Sequence, residues 1–251
     1  MTDALTPQAA PAPAPAEPGG FFQNLVDMYF APREAFARIV RAPRILLPLV
    51  LYAACILGFT ATWLHKVDPV EFAKTQIEES GRADKMTAEQ KQAAIDIQSR
   101  MMGTISAVVI PLFIAIMLLV VSGSLMFVFR FFYAGEVGFK QALAIVVWTF
   151  LAVGLISTPT ILTVLTLKGD WNVDPNQVVQ ANLGLLLDKS TAAKPLWALF
   201  TSIDAFVLWI VFLLAVGFAV ASKRKTSAAL WGVVIPWLLI VGIKVAAAAV
   251  F

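Results

Sequence analysis

Residues 201–209 read Thr201-Ser-Ile-Asp-Ala-Phe-Val-Leu-Trp209, and Asp204 within them is the only charge between Leu196 and Ser222. A second apolar run, Ser227 to Phe251, carries one charge, Lys244. Each run is long enough to cross a bilayer, whose hydrocarbon core of about 30 Å needs about 20 apolar helical residues. A charge in that hydrocarbon is costly, so it is paired or put to use. The two runs therefore read as a membrane-spanning hairpin holding one acid and one base.

The composition agrees. Of 251 residues, 59% are hydrophobic and 14% charged, against about 25% charged in soluble domains. Mean hydropathy is +0.81. That places the chain among integral membrane proteins, and its length suits one bundle of about four to six spans. The net charge is +3, with no dense Lys/Arg run, which argues against nucleic acid as a partner. One cysteine, Cys55, and one histidine, His65, leave no internal disulfide, no thiolate cluster and no histidine pair for a metal.

Outward from the hairpin, three further apolar runs appear. The predicted fold is an all-α integral membrane protein: a five-helix transmembrane bundle with spans near 45–65, 103–129, 141–167, 196–222 and 227–250. Pro111, Pro159 and Pro236 fall inside three of these spans, where a missing backbone donor is expected to kink or end the helix. Gly103, Gly123, Gly154 and Gly217 suggest points of close helix approach. In the polar segment 66–100, Thr87-Ala-Glu-Gln90 fits a capping box. The helix it starts is expected to run directly into the second span and to protrude from the bilayer. Asp174-Pro175 is another helix start. Val178, Val179, Leu183, Leu186 and Leu187 then form the apolar face of a short outer-face helix.

Residues 1–20, rich in Pro and Ala, cannot bury enough surface to order themselves and read as a disordered tail. They form either a docking arm or a plain solvated extension. From Phe21 to Arg44, apolar residues recur at helical spacing among Arg33, Arg38, Arg41 and Arg44. Pro32 divides the segment into two short helices. This amphipathic, interfacial element either sets its arginines on anionic lipid headgroups or packs against the end of the bundle. The two readings are compatible.

Lysines and arginines on the two faces tie at nine each when the N-terminus is placed inside. Short loops decide orientation, however. The proposed inner connections are short and basic, while the outer loops are long and hold ten acids. The N-terminus is therefore expected in the cytoplasm and the C-terminus outside. Asp204 would then lie about 12 Å, and Lys244 about 10 Å, from the outer ends of neighbouring helices. Three readings stay open: an intramembrane ion pair, a snorkelling lysine beside a hydroxyl-bonded Asp204, and a proton- or ion-coupling site.

No Ser–His–Asp arrangement, metal-ligand spacing or glycine-rich phosphate loop occurs. The chain is thus expected to be no enzyme and to need no cofactor. Several stretches resemble the Yip family, in its bacterial form. They are Pro32-Arg-Glu-Ala-Phe36 before a span with Pro48, Gly135-Glu-Val-Gly-Phe-Lys140 before a span with Thr158-Pro159, and Asn182-Leu-Gly-Leu-Leu-Leu187 leading to Asp204-Ala-Phe-Val-Leu-Trp209 and Gly217. The resemblance covers residues 21–251 and implies a five-span membrane domain. Eukaryotic relatives are Golgi and endoplasmic-reticulum proteins that interact with Rab GTPases. The tail and short inner loops look bacterial, which implies the cytoplasmic (inner) membrane. The expected function is a scaffold or membrane-organising role. Its partners would be membrane lipids and a protein partner or second copy. The alternative is a small transporter using Asp204 with Lys244, Ser122, Ser124, Ser157 and Thr158.

Overall fold

The computed structural model describes residues 19–80, 83–179, 181–188 and 191–250. Most of the expected tail, with Arg82, Lys189 and Phe251, lies outside the described residues.

The chain enters through two short helices, α1 (Phe21–Phe30) and α2 (Pro32–Arg41). Pro32 separates them as expected, because its fixed φ suits the first position of a helix and it needs no hydrogen-bond acceptor there. Glu34 in the first turn of α2 and Arg38 and Arg41 in the last complement the helix dipole. Helix α3 (Leu46–Lys66) covers the first apolar run.

The polar segment holds a helix the sequence reading missed, α4 (Pro69–Glu79). Its signal was Asp68-Pro69: Asp68 Oδ1 accepts from the amides of Val70 (2.9 Å) and Glu71 (3.1 Å). A single turn later, α5 (Ala88–Thr104) starts at the expected capping box, with Gln90 N donating to Thr87 Oγ1 and Thr87 N to Gln90 Oε1. Helix α5 passes through a π turn, Ile105–Val109, into α6 (Ile110–Phe131). Ala88–Phe131 is one continuous rod of 44 residues, about 66 Å at helical rise. Pro111 explains the π turn. Its ring would strike the carbonyl four residues back, and the wider turn moves that carbonyl aside. Ile110 N accordingly bonds Ile105 O.

Helix α7 (Phe139–Lys168) forms the centre. In its most apolar window 44% of residues are buried, against 17% for α3 and 11% each for Ala88–Phe131 and α11 (Thr226–Val250). The outer helices thus expose most of their apolar surface. In a soluble protein that exposure would be untenable; in a bilayer it is where lipid sits. Pro159 lies inside α7 without ending it, and Pro236 likewise inside α11. Hydroxyls of Thr160, Thr163 and Thr166 each bond the carbonyl one turn back along α7.

Two expectations need correction. The run 196–222 is not one helix: α9 (Lys194–Ser202) and α10 (Ala205–Ala221) are separated at Ile203 and Asp204. Among the described residues, four helices are long and apolar enough to cross a membrane, and α10 is a shorter apolar helix. The outer-face helix is also divided, into α8 (Pro175–Val178) and a 3-10 turn, Leu183–Leu186. Both breaks have one cause, described next.

Candidate functional site

The break at Asp204 is a structured junction. A helix stopped inside an apolar run leaves carbonyls and amides without partners, which is expensive away from water. Here a neighbouring segment supplies them. Leu183 N donates to Ile203 O (3.2 Å) and Ala205 N to Ala181 O (2.9 Å), making an antiparallel bridge between Asn182 and Asp204. Asp204 Oδ1 accepts from the amides of Phe206 (2.8 Å) and Val207 (3.2 Å), capping α10. Asn182 Oδ1 does the same for Gly184 N (2.9 Å). Gly184 is required here, since a Cβ would sit 2.6 Å from Asn182 Oδ1 and 2.9 Å from Thr201 Cγ2.

Asp204 and Lys244 are not brought into an ion pair. Ion pairs do join Arg38 to Asp27, Lys74 to Glu71 and Lys91 to Glu78. Lys244 Nζ instead donates to Ser202 Oγ at 3.2 Å, on the last turn of α9. The acid spends its acceptor on its own helix because the chain breaks there. That break depends on residues 181–183, remote in sequence. Asn182 and Ser202 were therefore absent from the sequence-level site.

At the other end, α2 is locked into the bundle. Ala35, Phe36 and Ile39 are buried on one face, a helical i, i+1, i+4 pattern. Gly217 in α10 makes room: a Cβ there would come within 2.5 Å of Ile145 Cγ2 and 3.1 Å of the Phe36 ring. Gly154 similarly faces Tyr52, whereas Gly103 and Gly123 meet nothing within 4 Å, so only two of the four expected close approaches occur. Polar contacts complete the dock. Tyr29 Oη donates to Ala152 O (2.7 Å), Gln141 Nε2 to Val40 O (3.2 Å) and Trp148 Nε1 to Arg44 O (3.1 Å). Burial of the Tyr29 phenol pushes its pKa up.

The four expected surface arginines divide. Arg38 turns inward, bonded to Asp27 and, at 2.8 Å, to Asn24 Oδ1. It ties α1 to α2 and is not free for a headgroup. Arg33, Arg41 and Arg44 are exposed, and Arg33 Nη1 reaches Thr226 Oγ1 at 3.4 Å. Helix α1 buries Asn24 and Met28 but turns Phe22, Val26 and Phe30 outward, with 79%, 53% and 83% of their surfaces free. The docked hairpin thus presents an unpartnered apolar edge.

Residues 26–247 match the Yip1 domain. The chain belongs to the Yip1-domain family. The matched range takes in α1 from Val26 onward, all of α2 and the Asp204 junction, and ends within α11. With its apolar helices, the chain is a multi-pass membrane protein. Comparison with curated proteins and with solved structures gives no match.

Proposed function

We propose that this Yip1-domain protein is a non-enzymatic, membrane-organising scaffold that works through lipid and protein contacts. The observation that carries this reading is the α1–α2 hairpin. One side is fixed in the bundle by Phe36, and the other offers Phe22, Val26 and Phe30 at i, i+4 and i+8. A rigidly held apolar edge at one end of a membrane bundle is suited to meet lipid or another membrane helix. Within this reading α9 and α10 together make a fifth, interrupted span. The membrane is the bacterial inner membrane, with the N-terminus cytoplasmic and the C-terminus outside. Photo-crosslinkers at positions 22 and 30, used in native membranes, are expected to capture a reproducible partner or a second copy. The same label at position 36 should not. Equal capture from all three positions would contradict the docked scaffold.

A transport reading has its own support, because interrupted helices often bind substrates and ions in membrane transporters. Here the interruption holds Asp204, with Ser202 and Lys244 beside it. Solute flux into proteoliposomes that Asp204→Asn abolishes would replace the scaffold reading with this one.

A further inference from the structure

Arg33 at the start of α2, the α10–α11 turn and the start of α11 enclose an open cavity of about 650 Å³. Its polar side carries four cations, Arg33, Lys223, Arg224 and Lys225, with Thr226. Its floor is apolar, made by Ala37, Ala219 and Val220. No acid lines it, and none of the four cations has a carboxylate partner among the described residues. We propose that this cavity binds a phosphate monoester, as a free anion or as the headgroup of a lipid whose acyl chains meet the apolar floor.

The geometry supplies the parts of such a site. Arg224 is oriented by two bonds to Tyr133 O, from Nε at 3.1 Å and Nη2 at 2.6 Å, and keeps its remaining nitrogen for a ligand. Arg33 is positioned by Thr226 and retains an open fork, the arrangement that grips phosphate oxygens in pairs. Helix α11, which begins at Thr226 beside the cavity, adds the positive end of a 25-residue helix. A monoester carries about −1.5 to −2 charges near neutral pH, so several unneutralised cations at close quarters match it. Lys223 adds an independent sign. It sits at φ +55°, closing α10 with Lys223 N to Val220 O (3.3 Å) and Arg224 N to Ala219 O (2.9 Å). That is the place in a helix C-terminus where glycine is preferred. A side chain there is conformationally strained, and the lysine places its charge at the cavity.

The site deepens the membrane-contact reading, and the test separates the two. The full chain, purified in mild detergent, is titrated with phosphatidic acid or phosphatidylcholine and read by native mass spectrometry, with and without excess inorganic phosphate. One phosphatidic acid should be retained in preference to phosphatidylcholine. Arg33→Gln with Lys225→Gln, and separately Lys223→Gly, should each weaken retention about tenfold or more. Lys223→Gly should keep or raise the melting temperature, so its weaker binding is not misfolding. Displacement by inorganic phosphate identifies the free anion as sufficient; persistence of the bound lipid identifies the headgroup with its acyl chains. Equal retention of both lipids, or retention unchanged in the variants, overturns the site. Crosslinking from Phe22 and Phe30 in the same variants should be unaffected, which leaves the scaffold reading to stand or fall alone.

Discussion

Replacing Asp204 by asparagine keeps an acceptor for the amides of Phe206 and Val207, whereas alanine removes it. Asp204→Ala is therefore expected to cost about 1 kcal/mol, and Asp204→Asn much less. Thermal unfolding in detergent measures both. Because Lys244 bonds Ser202 and not Asp204, the double-mutant cycle of Asp204→Asn with Lys244→Met should show coupling below about 0.5 kcal/mol. Coupling above about 1 kcal/mol would restore the ion pair. Gly217→Ala forces a methyl against Ile145 and Phe36 and should destabilise by about 1–3 kcal/mol. At this scale the sequence was legible where residue type alone decides. A glycine in an apolar helix marks a possible close approach, but only the packed structure separates Gly217 and Gly154, which face neighbouring side chains, from Gly103 and Gly123, which face none. Asp204 was visible as an anomaly, but its role was not, since its bridge partner in the segment that receives the broken backbone, Asn182, lies 22 residues upstream.

Helices were legible from their ends. Thr87 and Gln90 announce α5, and Pro32 announces α2; Asp68-Pro69 announces α4 by the same chemistry as Asp174-Pro175. The π turn was not legible, because proline permits several responses and packing selects one. The docking of α2 was legible as one of two compatible readings. Its buried face shows the docking: Phe36→Ala should cost about 3–5 kcal/mol, while Phe30→Ala, on the exposed side of α1, should change stability by less than about 0.5 kcal/mol. Denaturant titration of the two variants compares them. One contact in the α4–α5 hairpin, Lys91 with Glu78, is expected to respond to pH. The hydrogen bond from Lys91 Nζ (2.8 Å), and then its charge, hold the Glu78 carboxyl below the usual carboxylate range. The folded state therefore binds that proton more weakly than the unfolded state. The contact's contribution is present above about pH 4.3, the unfolded value, and is lost as pH falls through the lower folded value. An NMR titration should place the Glu78 midpoint higher in Lys91→Met than in the native chain. The effect on global stability should be small, as expected for an exposed pair.

Across the whole molecule, hydropathy located the apolar rods, and helix α7 emerges as central only when burial is known. Composition cannot say which apolar face meets lipid and which meets protein, because both environments are apolar. The same ambiguity hid which faces of the hairpin are buried, since its two helices carry apolar residues on faces with opposite fates. The most direct test is a spin-label accessibility scan along residues 21–41 in a lipid bilayer, with Cys55 replaced. The account predicts oxygen access at positions 22, 26 and 30, and protection from both oxygen and water-soluble relaxants at 28, 35, 36 and 39. Equal oxygen access at 35, 36 and 39 would mean that the hairpin lies free on the membrane, and would contradict the docked arrangement.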